Sequence, residues 1–141
     1  MSALPLGYEL REEVDVAAAH SYLARSYWSP GIPFETVAKA IANSLCVATW
    51  HEDEQIGLAR LVTDRATFAY LADVYVLEEH RGRGLSKALM AAVHAHPELQ
   101  GLRRWVLFTL DAHGAYEPFG WQALGHPERG MEILDPEVYL R

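Results

Sequence analysis

With one cysteine among 141 residues, the chain cannot form an internal disulfide, and it has no apolar run long enough for a membrane helix. It also lacks repeats, low-complexity tracts and Gly/Ser-rich linkers, which argues for one domain over residues 1–141. Positive charge is scarce: 12 Lys and Arg stand against 19 Asp and Glu, for a formal net charge of -7. That balance disfavours nucleic acid as a partner, because non-specific affinity for phosphates scales with clustered cations such as Arg81, Arg83, Arg103 and Arg104 taken together. The start, Met1-Ser2-Ala3-Leu4-Pro5-Leu6, has neither the basic segment nor the apolar stretch of a secretory leader. A cytoplasmic enzyme with no membrane or nucleic-acid partner is the expectation.

What is present is the balance of a globular domain: 50% hydrophobic and 22% charged residues. The acidic excess suits cationic amine substrates, and it equally serves solubility alone. Cys46, within Leu45-Cys46-Val47-Ala48, reads as a small buried hydrophobe and not as a nucleophile.

The pattern of apolar residues orders the elements. A short strand near Tyr8–Leu10 precedes a helix capped by Asp15 and running to about Trp28, where Ser29-Pro30-Gly31 breaks it. A second helix spans Phe34 to Asn43, and strands follow at Leu45–Trp50, Gln55–Val62 and Thr67–Val76. In the last of these, strict alternation places Phe68, Tyr70, Ala72, Val74 and Val76 on one face and Leu71, Asp73 and Tyr75 on the other. Apolar residues at 85, 88, 89, 92 and 93 then mark an amphipathic helix over Leu85–Ala95. Trp105–Leu110 reads as a strand, Asp111 as the cap of a short helix through Tyr116, and Met131–Leu134 as a final strand.

Between the Thr67–Val76 strand and the following helix lies Glu78-Glu79-His80-Arg81-Gly82-Arg83-Gly84. Its glycines let backbone N–H groups approach a ligand, the helix start adds unsatisfied N–H groups and a positive dipole end, and the arginines add charge. This is an anion site of the kind a pyrophosphate fits. A nucleoside-triphosphate loop is excluded because Ser86 precedes Lys87, and a dinucleotide fingerprint is excluded because Lys87 stands where a third glycine is needed.

The string Arg81-Gly82-Arg83-Gly84-Leu85-Ser86 resembles the coenzyme-binding signature of the GNAT N-acetyltransferase superfamily, Arg/Gln-x-x-Gly-x-Gly/Ala, with Ser86 departing at the last position. Asp73-Val74-Tyr75-Val76 resembles that family's strand before the turn. The segment from Asp111 to Trp121, with Tyr116, is similar to its late helix and tyrosine. The resemblance implies an α/β (α+β) fold with a mixed, mostly antiparallel twisted central sheet flanked by helices. It also implies an acetyl-CoA-dependent enzyme that acylates a primary amine, of a small molecule or of a protein, by direct transfer in a ternary complex. A coenzyme-binding sensor or partner module that has lost catalysis is the alternative of the same fold. Family relatives often pair as homodimers, which leaves that state open here.

By the same resemblance, Tyr116 is the proton donor to the departing sulfur, and Val74, Val76, Arg81, Gly82, Arg83, Gly84, Leu85, Ser86 and Asp111 hold the coenzyme. Val76 supplies the backbone N–H for the oxyanion. Asp73 is the candidate base for the acceptor ammonium, or else the anchor of a loop. Tyr22, Tyr27 and Trp28 fall in the region where the family builds its acceptor pocket, or else in plain core. The histidines His94 and His96 have no metal-ligand spacing, so no metal is expected.

Overall fold

The computed structural model describes residues 4–141; Met1–Ala3, part of the stretch read as lacking a leader, lie outside them. The chain runs β1 (Tyr8–Arg11), α1 (Val16–Leu23), α2 (Phe34–Ala42), β2 (Leu45–His51), β3 (Glu54–Thr63), β4 (Phe68–Val76), α3 (Leu85–Ala95), β5 (Arg104–Leu107) and α4 (His113–Tyr116). The five strands form one mixed sheet in sequence order. β1 to β4 are antiparallel, and α3 carries the chain over to β5, which pairs parallel with β4. No described helix is long and apolar enough to cross a membrane.

Alternating side chains give the sheet two cores. Leu45, Val47, Ala59, Leu61, Ala69 and Leu71 meet Leu89, Met90 and Val93 of α3 on one face. Cys46, Ala48, Trp50, Leu58 and Tyr75 meet Ala19, Leu23 and Val37 of α1 and α2 on the other. Cys46 is buried, and desolvation pushes its thiol up to about 11, which fits a packing residue.

Strict alternation fails within β4. Arg60 pairs with Asp73 but Leu61 pairs with Leu71, so Ala72 is the extra residue of a bulge. Leu71 therefore packs in the α3 core while Tyr75 packs in the α1/α2 core, although a period of two would put them together. The bulge also lies where β5 departs: the two strands pair only over Phe68–Leu71 and Arg104–Leu107, shorter than the predicted strand to Leu110. Beyond it, residues 73–76 keep their β3 partners and present their other edge to a gap.

Two further expectations are corrected. α1 starts at its Asp15 cap but stops at Leu23, because the Ser26 and Ser29 hydroxyls both donate to the Leu23 carbonyl and turn the chain out of the helix. Met131–Leu134 forms no strand, and Met131 and Ile133 are fully exposed. The tail is held farther on, where Tyr139 packs on the α1/α2 core and Leu140 lies against Gly31.

Candidate active site

The gap beside β4 opens into two adjoining cavities. The larger, about 560 Å³, is walled by Val74 and Val76 of β4, the turn Arg81, Gly82 and Gly84, the first turn of α3, and Tyr116 with Pro118 and Phe119. Gly82 and Gly84 have φ of 79° and 76°, a left-handed conformation that favours glycine, and a Cβ built on either meets nothing within 4 Å. The concave side of the turn is thus backbone facing open space. Gly84 caps α3 without any side-chain hydrogen bond, so the helix presents uncapped N–H groups and its positive dipole end to the cavity. Arg81 is aimed by the end of β4 and by α1: its Nε donates to the Val76 carbonyl at 2.9 Å, and its Nη2 lies 3.4 Å from the Tyr22 hydroxyl.

Strand geometry also determines which backbone groups of β4 are available. The Leu77 N–H donates to the Ile56 carbonyl on β3 at 2.8 Å. Since successive N–H groups alternate sides, those of Val74 and Val76 point away from β3 into the gap that β5 has left. The bulge and the early end of β5 therefore expose a short ladder edge beside an anion-binding turn.

Tyr116 stands at the junction, lining both cavities. Burial raises its phenol above the ordinary value of 10.0, with a smaller push from Tyr27, so the ring is a neutral O–H donor at physiological pH. Its segment is pinned to α3 from below: the Trp121 indole N–H donates to His94 Nε2 at 3.0 Å, and Phe119 stacks on the same imidazole. Burial lowers the His94 pKa, consistent with a neutral ring accepting that bond.

The acetyltransferase (GNAT) family model matches residues 9–121. This chain belongs to the GNAT family. A crystal structure of a GNAT-family protein from Xanthomonas campestris pv. campestris is 44% identical, covers 97% of this chain and 99% of its own, and superposes with a TM-score of 0.92. A Gibberella zeae protein provisionally named an acetyltransferase is 32% identical over 106 residues, 60% of this chain; the chain spans 59% of that relative's length. An aminoglycoside N-acetyltransferase solved in complex with CoA, 18% identical, covers 91% of this chain and 94% of its own with a TM-score of 0.64, a likeness of fold.

Within this GNAT domain the expected coenzyme residues largely converge. Val74, Val76, Arg81, Gly82, Gly84, Leu85 and Ser86 all border the larger cavity. Arg83 does not; it is exposed, and its Nη2 lies 3.5 Å from the Glu79 carbonyl. Asp111 is exposed, borders neither cavity and does not cap α4, whose cap is Ala112. The Ala112 N–H donates instead to Thr109 Oγ1. Lys87, Met90, Pro118 and Phe119 border the larger cavity without having been anticipated. Only Lys87 carried a signal, as the cation in the first turn after the glycines.

Asp73 lines neither cavity. It is buried, its Oδ2 accepts Arg60 Nε–H at 2.6 Å, and its Oδ1 accepts the Trp28 indole N–H at 2.7 Å. A carboxylate committed to a guanidinium on one oxygen and an indole on the other is a structural tie between β3, β4 and the α1–α2 loop. Of the expected acceptor residues, Tyr22 stacks on Tyr75 at 4.0 Å and lines neither cavity, whereas Tyr27 and Trp28 line the smaller one. Among the described residues no cluster of His, Cys, Asp and Glu could hold a metal ion.

Proposed function

We propose that this chain transfers an acetyl group from acetyl-CoA to a primary amine, both substrates being bound together. The observation that carries the reading is the meeting of the two cavities at Val74 and Tyr116, each of which lines both. One cavity has the anion turn and ladder edge suited to a nucleotide pyrophosphate and its amide-containing arm; the other opens on the opposite side of the reacting position.

The residues fit that donor. The open backbone of Gly82 and Gly84, the uncapped start of α3, Arg81 and Lys87 would hold the pyrophosphate, and the outward N–H groups of Val74 and Val76 would pair with the arm. When bound, acetyl-CoA supplies a thioester carbonyl and a thiol leaving group. The Val76 N–H is our assignment for stabilising charge on the carbonyl oxygen, a role worth several kcal/mol when the donor is preorganised by a strand. Tyr116 would protonate the departing sulfur. A phenol of pKa above about 10 gives a proton to a thiolate of pKa about 8.5 unfavourably at equilibrium, so its help lies in the transition state. Asp73 we assign to anchoring, given its two committed oxygens.

The test is thiol release from acetyl-CoA over a panel of primary amines, with amide product measured alongside. Amine-dependent, equimolar thiol and amide that fall in Tyr116→Phe support the reading. Coenzyme binding without turnover on any amine would make the chain a binding module.

A further inference from the structure

Resting on the acetyltransferase reading, we infer that the acceptor is a primary amine carried on an aromatic or apolar body, and that Tyr70 and Phe108 select it. The acceptor cavity, about 360 Å³, is within the range of small-molecule sites. Its walls include Tyr27 and Trp28 from the α1–α2 loop, Tyr70 from β4, and Leu107, Phe108 and Leu110 around the end of β5, with Tyr116 at the inner end. None of its lining residues is charged. The rings are held: Tyr70 meets Phe108 edge to face at 5.9 Å, Tyr27 meets Trp28 edge to face at 5.1 Å, and the Tyr27 hydroxyl accepts the Leu110 N–H at 3.3 Å.

The wall offers a few hydroxyls, those of Tyr27, Tyr70, Thr109 and Tyr116, but no charged group. The Trp28 N–H goes to Asp73, and that carboxylate, the acid tied to this wall, is itself neutralised by Arg60. A polyamine would bring further ammonium groups without a carboxylate on the wall to meet them, and an amino sugar would bring more hydroxyls than the wall's few can pair. An arylalkyl amine brings one charge and an apolar body that the rings can cover.

The same wall accounts for activation of the nitrogen without a dedicated carboxylate. Contact with apolar rings disfavours an ammonium relative to the neutral amine, and the cavity mouth at the exposed Phe108 and Leu110 gives the released proton a path to solvent before attack. The neutral nitrogen then forms the C–N bond and the C–S bond breaks. The sulfur takes the Tyr116 proton, and the nitrogen's surplus proton returns to Tyr116 through water.

Kinetics with phenylethylamine, spermidine and glucosamine, read by thiol release, test the inference. We expect kcat/KM for phenylethylamine to exceed the other two at least ten-fold. Phe108→Ala and Tyr70→Ala should each raise its KM several-fold while leaving the thermal shift by acetyl-CoA intact. Phe108→Asp should move the preference toward spermidine. If acetyl-CoA stabilises the wild type and spermidine or glucosamine is turned over as well as or better than phenylethylamine, this inference fails alone; if acetyl-CoA binds but none of the amines is turned over, the acetyltransferase reading fails with it. If acetyl-CoA does not bind, the acetyltransferase reading fails with it.

Discussion

The two cavities beside β4 are built from different materials. The larger cavity, proposed for the coenzyme, takes much of its polar character from backbone: a left-handed glycine turn, an uncapped helix start and a strand edge whose N–H groups point into a gap. The smaller cavity, proposed for the acceptor, is lined by side chains gathered from the α1–α2 loop, β4 and the end of β5. Backbone recognition reads chemistry shared by every CoA thioester and tolerates little variation in the turn. Side-chain recognition can be retuned one residue at a time, so on the proposed function acceptor specificity would reside in the smaller cavity.

Tyr116, which belongs to both cavities, gives the largest expected effect. Tyr116→Phe should lower kcat about 10²- to 10⁴-fold, the usual span for a general acid, with acetyl-CoA binding retained. Because burial raises its pKa above 10.0, wild-type kcat should show no loss from Tyr116 ionisation as pH rises toward 10. A Phe variant of wild-type activity would remove the tyrosine from the chemistry.

Asp73 separates the anchor role from the base role. Asp73→Asn leaves the Arg60 guanidinium without its charge partner, and breaking such a buried pair costs about 3–5 kcal/mol of stability. Urea unfolding should show that loss while kcat of the remaining folded enzyme changes only a few-fold. Unchanged stability with a hundred-fold loss of kcat would make Asp73 the base and would undo the division drawn between the cavities.

These contrasts explain what was legible in the sequence. The turn Arg81–Ser86 could be read because a glycine pattern between a strand and a helix specifies backbone conformation locally. Most of its residues do border one cavity, and Asp15 does cap α1. The bulge at Ala72 left no local mark, since Ala-Asp-Val fits regular alternation and the slip arises from pairing with Arg60 and Leu61 across the sheet. Tyr70 and Phe108 were invisible for the same reason: they lie 38 positions apart, and only the parallel pairing of β4 with β5 brings them together. The apolar pattern of Met131–Leu134 forms no strand although β5 leaves a free sheet edge, and the tail is instead anchored by Tyr139 on the α1/α2 core.

A smaller effect concerns the support under Tyr116. His94 accepts the Trp121 N–H as a neutral ring, and burial depresses its pKa below 6.5. Its contribution to stability is therefore complete above about pH 6.5 and lost as pH falls through the depressed folded value. In thermal melts the wild type should lose more stability than His94→Gln between pH 7 and pH 5. Parallel curves would show that protonation of His94 does not loosen the Tyr116 segment.

The central claim is that the Gly82–Gly84 turn is the coenzyme site, and the melting temperature with and without acetyl-CoA tests it most directly. A ligand at about 100 times its Kd stabilises the folded state by about 2.7 kcal/mol, so the wild-type midpoint should rise clearly. Gly84→Ala supplies the backbone strain without filling the cavity and should keep part of that rise, whereas Gly84→Trp should fold yet abolish it. No rise in the wild type at saturating acetyl-CoA, or an undiminished rise in Gly84→Trp, would contradict the account.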